Sequence, residues 1–233
     1  MSHHLMHGLP DPLPTDPLQV AEKWLEQARD EQIQPNPNAM TLATVGANGQ
    51  PAARVVLCKD IVLPDGYLVF YTNYESRKGA ELAAHPRAAA LFHWDAFERQ
   101  VRVEGFVVKS PPAESDDYFR TRPWQSRLGA WASQQSRPIG SRAQLIEQLR
   151  AAGRRFDTPP VGPDADPDDE NEDVDVPRPP HWGGYRLWAE SVELWVGAEY
   201  RIHDRARWTR SLVPTGDGHR FQASPWHVQR LQP

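Results

Sequence analysis

Residues 40–60, MTLATVGANGQPAARVVLCKD, hold two runs rich in β-branched residues on either side of Asn48-Gly49. Glycine after asparagine suits a chain that must reverse through positive φ, so the stretch reads as a β-hairpin. The pattern recurs along the chain. DGYLVFYTN, after the Pro64-Asp65-Gly66 turn, gives a third strand, and AAALFHW with ERQVRVEGFVVKS gives a further pair. In the last of these Val101, Val103, Gly105 and Val107 alternate with Gln100, Arg102, Glu104 and Phe106, the period of a half-buried strand. GGYRLWAESVELWVG, YRIHDRARWTR and the closing WHVQRLQP are strand-like as well.

Helical spacing is confined to a few segments. In TDPLQVAEKWLEQARDEQ, Asp16 is placed to cap, Pro17 suits the first turn, and Val20, Ala21, Trp24, Leu25 and Ala28 form the apolar stripe. SRKGAELAAH opens a short helix at Ser76 that Pro86 ends, PPAESDDYFRTR gives another, and SRAQLIEQLRAAGRRF is capped by Ser141. There is no internal repeat and no βαβα alternation. Roughly seven or eight short strands with helices hung between them make the fold α+β and mainly antiparallel, with a β-barrel carrying peripheral helices as the expected architecture.

At 233 residues the chain suits a single domain over 16–233, preceded by a flexible tail over 1–15 in which His3, His4 and His7 are incidental. The lone Cys58 excludes an intrachain disulfide framework and fits a reducing, cytoplasmic setting. No apolar run approaches the length of a membrane span, and the N-terminal residues lack the basic start and apolar stretch of a signal peptide. The net charge of −5 conceals a local concentration: residues 164–175 carry eight acids. Without these eight of the 31 acids, 23 remain against 26 Lys and Arg, an excess of +3. The acidic, proline-flanked stretch at about 158–180 is read as a disordered insertion.

The bases of the remainder are clustered. RVVLCK supplies Arg54 and Lys59, SRK supplies Ser76, Arg77 and Lys78, YFRTRPWQS supplies Tyr118, Arg122 and Ser126, and RIHDR supplies Arg201, His203 and Arg205. A hydroxyl and two cations at a helix start suit a phosphate. Tyr118 and Arg122, one helical turn apart with Ser126 just beyond Pro123, suit a second. In one extended strand Trp195, Arg201, His203 and Arg205 would share a face, either a solvated edge or the wall of an anion pocket. No phosphate-binding G-x-x-x-x-G-K-[ST] loop, G-x-G-x-x-G turn, CxxC or HExxH spacing occurs, so no metal is expected. Interleaving of the bases with strand core argues against nucleic acid.

NAMTLATV…GQPAARVVLCK, VFYTNYESRKGAEL, ERQVRVEG, YFRTRPWQSRLGAWASQQS, WGGYRL, ELWVG…RIHDR and the terminal RLQP together resemble the pyridoxamine 5′-phosphate oxidases, in order from about residue 16 to 233. The resemblance implies an FMN-binding split β-barrel, a homodimer with flavin at the interface. The implied reaction is oxidation of pyridoxine or pyridoxamine 5′-phosphate to pyridoxal 5′-phosphate by O2, with H2O2 as co-product. It places FMN contacts on Arg54, Val55, Val56, Leu57, Cys58, Lys59, Tyr71, Thr72, Arg77, Lys78, Gln100, Gln135, Ser136, Trp195 and Arg205. Substrate contacts fall on Lys59, Tyr118, Arg122, Ser126, Arg201 and His203, with Arg201 and His203 as the catalytic pair holding the pyridine ring. Cys58 beside Lys59 is also expected to be a small core residue, since strand neighbours face opposite ways. An Arg-x-x-Tyr segment that folds over substrate in many members has no counterpart ahead of the first helix, where the first Arg is Arg29 and the first Tyr is Tyr67. A related FMN oxidase of another aromatic substrate, as in the phenazine pathway, and a non-catalytic carrier of flavin or pyridoxal phosphate are the alternatives.

Overall fold

The computed structural model describes residues 8–162 and 174–233. Helices are α1 (Pro17–Asp30), α2 (Arg77–Ala84), α3 (Pro112–Arg120), α4 (Trp124–Ala132) and α5 (Arg142–Arg155). Strands are β1 (Ala39–Val45), β2 (Pro51–Leu57), β3 (Asp60–Val62), β4 (Tyr67–Asn73), β5 (Arg87–Trp94), β6 (Arg99–Lys109), β7 (Trp182–Val196), β8 (Asp204–Thr209), β9 (Leu212–Pro214), β10 (Phe221–Ala223) and β11 (His227–Leu231). The main sheet runs β11-β8-β7-β6-β5-β1-β2, with β4 pairing both β3 and β7, while β9 and β10 form a separate hairpin. The β1–β2, β1–β5, β5–β6, β7–β8 and β8–β11 pairs are antiparallel, so the expected class is the one observed. No helix among the described residues is long and apolar enough to cross a membrane.

The chain divides into two compact units, one of residues 1–70, 84–108 and 185–233, the other of 71–83 and 109–184. The boundaries fall within β4, α2, β6 and β7.

In the first unit the opening hairpin pairs Val45 with Pro51 and Ala39 with Leu57, and Gly49 in the connection takes φ +81°. The alternation of β6 puts Val101 and Val103 at 0% exposure, beside Leu42, Ala90 and Trp208 in the same buried set. Asp16 caps α1 by accepting from the Leu18 N–H at 3.0 Å, and Leu18, Ala21, Leu25 and Ala28 are the buried stripe. Residues 1–7 of the expected tail lie outside the described residues; further on, Leu9 is buried and its N–H donates to Asp204 at 2.7 Å.

The second unit has its own core of Trp124, Leu128, Ala152, Val161, Val174 and Val176. Residues 163–173 of the insertion expected at about 158–180 are outside the described residues, whereas Val161, Val174 and Val176, within that expected stretch, are ordered and pack in this core because they are apolar. Ser141 caps α5 as expected, accepting from the Gln144 N–H at 3.1 Å. The helix expected through YFRTR stops at Arg120, because Pro123 has no N–H and disfavours helical backbone before it.

Two glycines separate backbone crowding from backbone freedom. A Cβ on Gly105 would run into the Trp188 carbonyl, whereas one on Gly129 in α4 meets nothing within 4 Å. Gly129→Ala is expected to raise unfolding stability by about 0.5–1 kcal/mol in urea melts. Gly105→Ala should lower the melting temperature markedly or prevent soluble expression.

Candidate functional site

In the second unit, the end of β4 and the start of α2 form a tight polar corner. Asn73 Oδ1 accepts from the Glu75 N–H at 2.7 Å, and Ser76 Oγ donates to the Asn73 carbonyl at 2.7 Å while accepting from the Gly79 N–H at 3.3 Å. This brings Lys78 back over β4. Its Nζ donates to Gln135 Oε1 at 2.6 Å, Thr72 Oγ1 at 2.9 Å and Ser76 Oγ at 3.2 Å, although the residue is only 9% exposed. Gln135, 57 residues along the chain from Lys78, is thereby brought to Lys78 and Thr72. Arg77 points the other way, its side chain largely exposed and paired with Glu81 at 2.8 Å. Ser136 follows in an exposed loop at φ 72°.

The same unit holds an aromatic stack. Tyr71 and Tyr118 lie 3.9 Å apart at 15°, and Trp182 lies 5.4 Å from Tyr71 at 11° and 6.2 Å from Tyr118 at 6°. The Arg122 guanidinium sits 4.7 Å from the Trp182 centroid and 5.4 Å from that of Phe119. Its Nη1 is buried and makes no hydrogen bond, and burial lowers its pKa from the ordinary arginine value, with Tyr118 opposing. Arg122 is thus not on the Tyr118 helix but at the α3–α4 break, aimed by the proline. Ser126, one turn into α4, is exposed.

In the first unit, Arg54 on β2 donates to Thr44 Oγ1 and to the Leu42 carbonyl, so β1 holds it across the hairpin. Val55 is exposed on this edge strand, Val56 and Leu57 are half-buried, and Lys59 is exposed. Cys58 is 0% exposed, as its position beside Lys59 led us to expect; its Sγ donates to the Asp60 carbonyl at 3.2 Å. Gln100 on β6 pairs in register with His93.

The stripe at 195–205 forms differently from the single strand considered above. β7 ends at Val196 and β8 begins at Asp204, with a 3₁₀ turn at Glu199–Arg201 between them. Tyr200 and Arg201 both take left-handed φ, 56° and 62°, which reverses the chain. Trp195 and Arg205 are instead cross-strand partners in the β7–β8 register. His203 packs against Trp195 with centroids 4.7 Å apart, and its Nδ1 accepts from the Ala198 N–H at 3.2 Å. That bond leaves the proton of the neutral ring on Nε2. Arg201 and Tyr200 are exposed at the turn.

Arg205 is bound by Glu193, a residue absent from the expected set. Its Nε and Nη2 donate to Glu193 Oε1 at 3.0 and 2.7 Å, its Nη1 donates to the Gln232 carbonyl at 3.0 Å, and Arg102 Nη2 reaches Glu193 Oε2 at 2.7 Å. The signal for Glu193 was a carboxylate at an alternate position to Trp195, between Leu194 and Val192 in the apolar end of β7. The signal for Trp182 was its place before Gly183-Gly184, where a Cβ on Gly184 would meet Tyr71 at 2.9 Å. Among the described residues no group of His, Cys, Asp and Glu could hold a metal.

Burial pushes the Cys58 thiol up to about 12, with hydrogen bonding to the Asp60 backbone opposing. In the native protein at pH 8 the thiol is therefore expected to be inert to maleimide or disulfide reagents, and to react at full stoichiometry only after denaturation. The folded state holds this proton more tightly than the unfolded one. Cys58 therefore favours folding fully at neutral pH, and that contribution is lost as pH rises from about 9 to about 12, where the unfolded thiol ionises first.

The family model described as pyridoxamine 5′-phosphate oxidase matches residues 25–150, and that of the pyridoxine 5′-phosphate oxidase C-terminal dimerisation region matches 182–233. A pyridoxine/pyridoxamine 5′-phosphate oxidase of Methylibium petroleiphilum is 50% identical over 218 residues, 94% of this chain and 89% of that protein. One of Burkholderia cenocepacia is 46% identical over the same share of both chains. The crystal structure of PhzG from Burkholderia lata 383, in complex with tetrahydrophenazine-1-carboxylic acid, is similar with a TM-score of 0.77 at 27% identity, covering 96% of this chain and 95% of that one.

Proposed function

The chain belongs to the pyridoxamine 5′-phosphate oxidase family, with its split β-barrel fold, and we propose that it is an FMN-dependent oxidase of pyridoxine and pyridoxamine 5′-phosphates. The product would be pyridoxal 5′-phosphate, with O2 reduced to H2O2; the amine substrate also takes up water and releases ammonia. A homodimer and a cytoplasmic setting go with this reading, the first supported by the matched dimerisation region and the second by the single reduced cysteine.

The observation that carries the proposal is Arg122. A cation that is stacked on Trp182 and desolvated, with one buried N–H edge making no hydrogen bond, is costly unless an anion arrives to meet it. With Tyr118 beside it, this corner fits a substrate phosphate; the family resemblance assigns Ser126 and Lys59 to the substrate as well. Lys78 fits the phosphate of FMN in another way. Three oxygen acceptors fix its ammonium before any ligand binds and occupy its three N–H bonds, so a phosphate would meet its charge in place or take over one of those bonds. Thr72 and Gln135 adjoin it, and the family resemblance assigns Arg54, Arg77 and Arg205 to the flavin as well.

Bound FMN would supply the acceptor for the electron pair that leaves the substrate carbon. The protein's part is orientation. Arg201 and His203 would hold the pyridine ring, His203 as a donor through Nε2, because Nδ1 is already occupied by the Ala198 N–H. This tautomer favours a positioning role for His203 over that of a general base.

The likeness to PhzG favours a second reading, an oxidase of a non-phosphorylated aromatic acid. Lys59, Tyr118, Arg122 and Ser126 weigh against it, since such a substrate has no phosphate for them to bind. Steady-state kinetics of the FMN-loaded protein separate the two. Arg122→Ala should lower kcat/KM for pyridoxine 5′-phosphate roughly ten- to hundredfold, mainly through KM, the loss of one or two charge-assisted hydrogen bonds. Arg201→Ala and His203→Ala should act mainly on kcat. Unchanged kinetics for Arg122→Ala, or turnover of an aromatic acid in place of the phosphate ester, would support the second reading.

A further inference from the structure

We propose that Glu193 is a positioning residue for flavin binding, acting through Arg205; the proposal rests on the reading of Arg205 as an FMN contact. Residues 191, 193 and 195 of β7 lie on one face of the sheet, and Arg205 and Arg207 of β8 share it, since Trp195 pairs with Arg205 and Glu193 with Arg207. On the other face Val192, Leu194, Ala206 and Trp208 are buried core. Glu193 is 6% exposed, and a carboxylate so far from water is tolerated only with charged partners.

Its partners divide its oxygens. Oε1 takes both bonds from Arg205, and Oε2 takes the bond from Arg102. Arg102 is itself held by Glu104 at 3.0 Å, and Arg207 reaches Glu104 at 3.5 Å and Ser191 at 3.0 Å. Glu193 is therefore tied to a second guanidinium on β6 as well as to Arg205, and that guanidinium has a carboxylate partner of its own.

The effect on Arg205 follows from counting its donors. A guanidinium has five N–H bonds in one plane. Three are engaged: Nε and one from Nη2 by Glu193, and one from Nη1 by the Gln232 carbonyl. One N–H on each terminal nitrogen remains, a two-donor fork whose plane is set by Glu193 on one side and by the chain end on the other. The side chain keeps 26% exposure, so the fork is accessible. Such a fork suits paired acceptors, as on a phosphate or on adjacent ring carbonyl and nitrogen atoms of a flavin. The carboxylate also offsets the Arg205 charge, so Arg205 acts here as an oriented donor more than as a bare cation.

The test is FMN affinity of the apoprotein, followed by quenching of flavin fluorescence, in a cycle of wild type, Glu193→Gln, Arg205→Ala and the double variant. Glu193→Gln keeps the shape but loses the charge that fixes the fork, and should weaken FMN binding roughly tenfold. In the Arg205→Ala background the same change should have no further effect, because its route is gone. Glu193→Asp, which retains the charge, should recover part of the affinity, and it serves as the readout if the Gln variant does not fold. Equal weakening by Glu193→Gln with and without Arg205, or no weakening while Arg205→Ala does weaken, would overturn the positioning role alone. An unchanged affinity in Arg205→Ala would overturn the flavin assignment of Arg205, and this proposal with it.

Discussion

A carboxylate cannot be buried in a β-sheet without being answered, and Glu193 is buried in the longest strand of this chain. Strand β7 is shielded from solvent along almost its entire length. Each polar side chain on it must therefore find its partner inside the protein. The answer for Glu193 is a pair of guanidiniums from the neighbouring strands, Arg102 on β6 and Arg205 on β8. The pair sets the direction of Arg205 and ties together three adjacent strands on the face that also carries Trp195. Only the carboxylate end is shut away from water, so removing either guanidinium would leave a buried charge short of a partner, which holds the arrangement in place.

The molecule fixes its cations in different ways, and each way suits a different task. Lys78 is held by neutral oxygens from Thr72, Ser76 and Gln135, so its full charge stays available to an anion. Arg205 is held by a carboxylate, so its direction is sharp and its net charge small. Arg122 is held by the faces of Trp182 and Phe119 and by loss of solvent, which leaves hydrogen-bonding capacity unspent at Nη1. The first and third arrangements are of a kind that suits a phosphate, and the second a pair of acceptors in one plane.

Much of this was legible in the residues themselves. Alternating valines marked β6, Asn48-Gly49 marked the first hairpin, and Asp16 and Ser141 marked two helix starts, because each depends on local chemistry that no tertiary contact overrides. The short strands β3, β9 and β10, of three residues each, gave no period to read. The reversal at 197–203 was hidden because it places left-handed backbone on Tyr200 and Arg201, residue types that rarely adopt it. With that turn in place, Trp195 and Arg205 do share a face, but across a hairpin and not along one strand. Glu193 was overlooked since an acid among the polar residues of β7 shows its meaning only when the strand proves buried on both sides. Family motifs drew attention to Arg201, His203 and Arg205, and could not show which residue holds Arg205 in place.

The central claim, oxidation of a phosphorylated B6 vitamer by a flavin held among these cations, is tested most directly by aerobic incubation of the FMN-loaded protein with pyridoxine 5′-phosphate, following aldehyde and peroxide together. The account predicts equal amounts of both, with far slower turnover of unphosphorylated pyridoxine. Bound flavin with neither product, or equal rates with and without the phosphate, would contradict it.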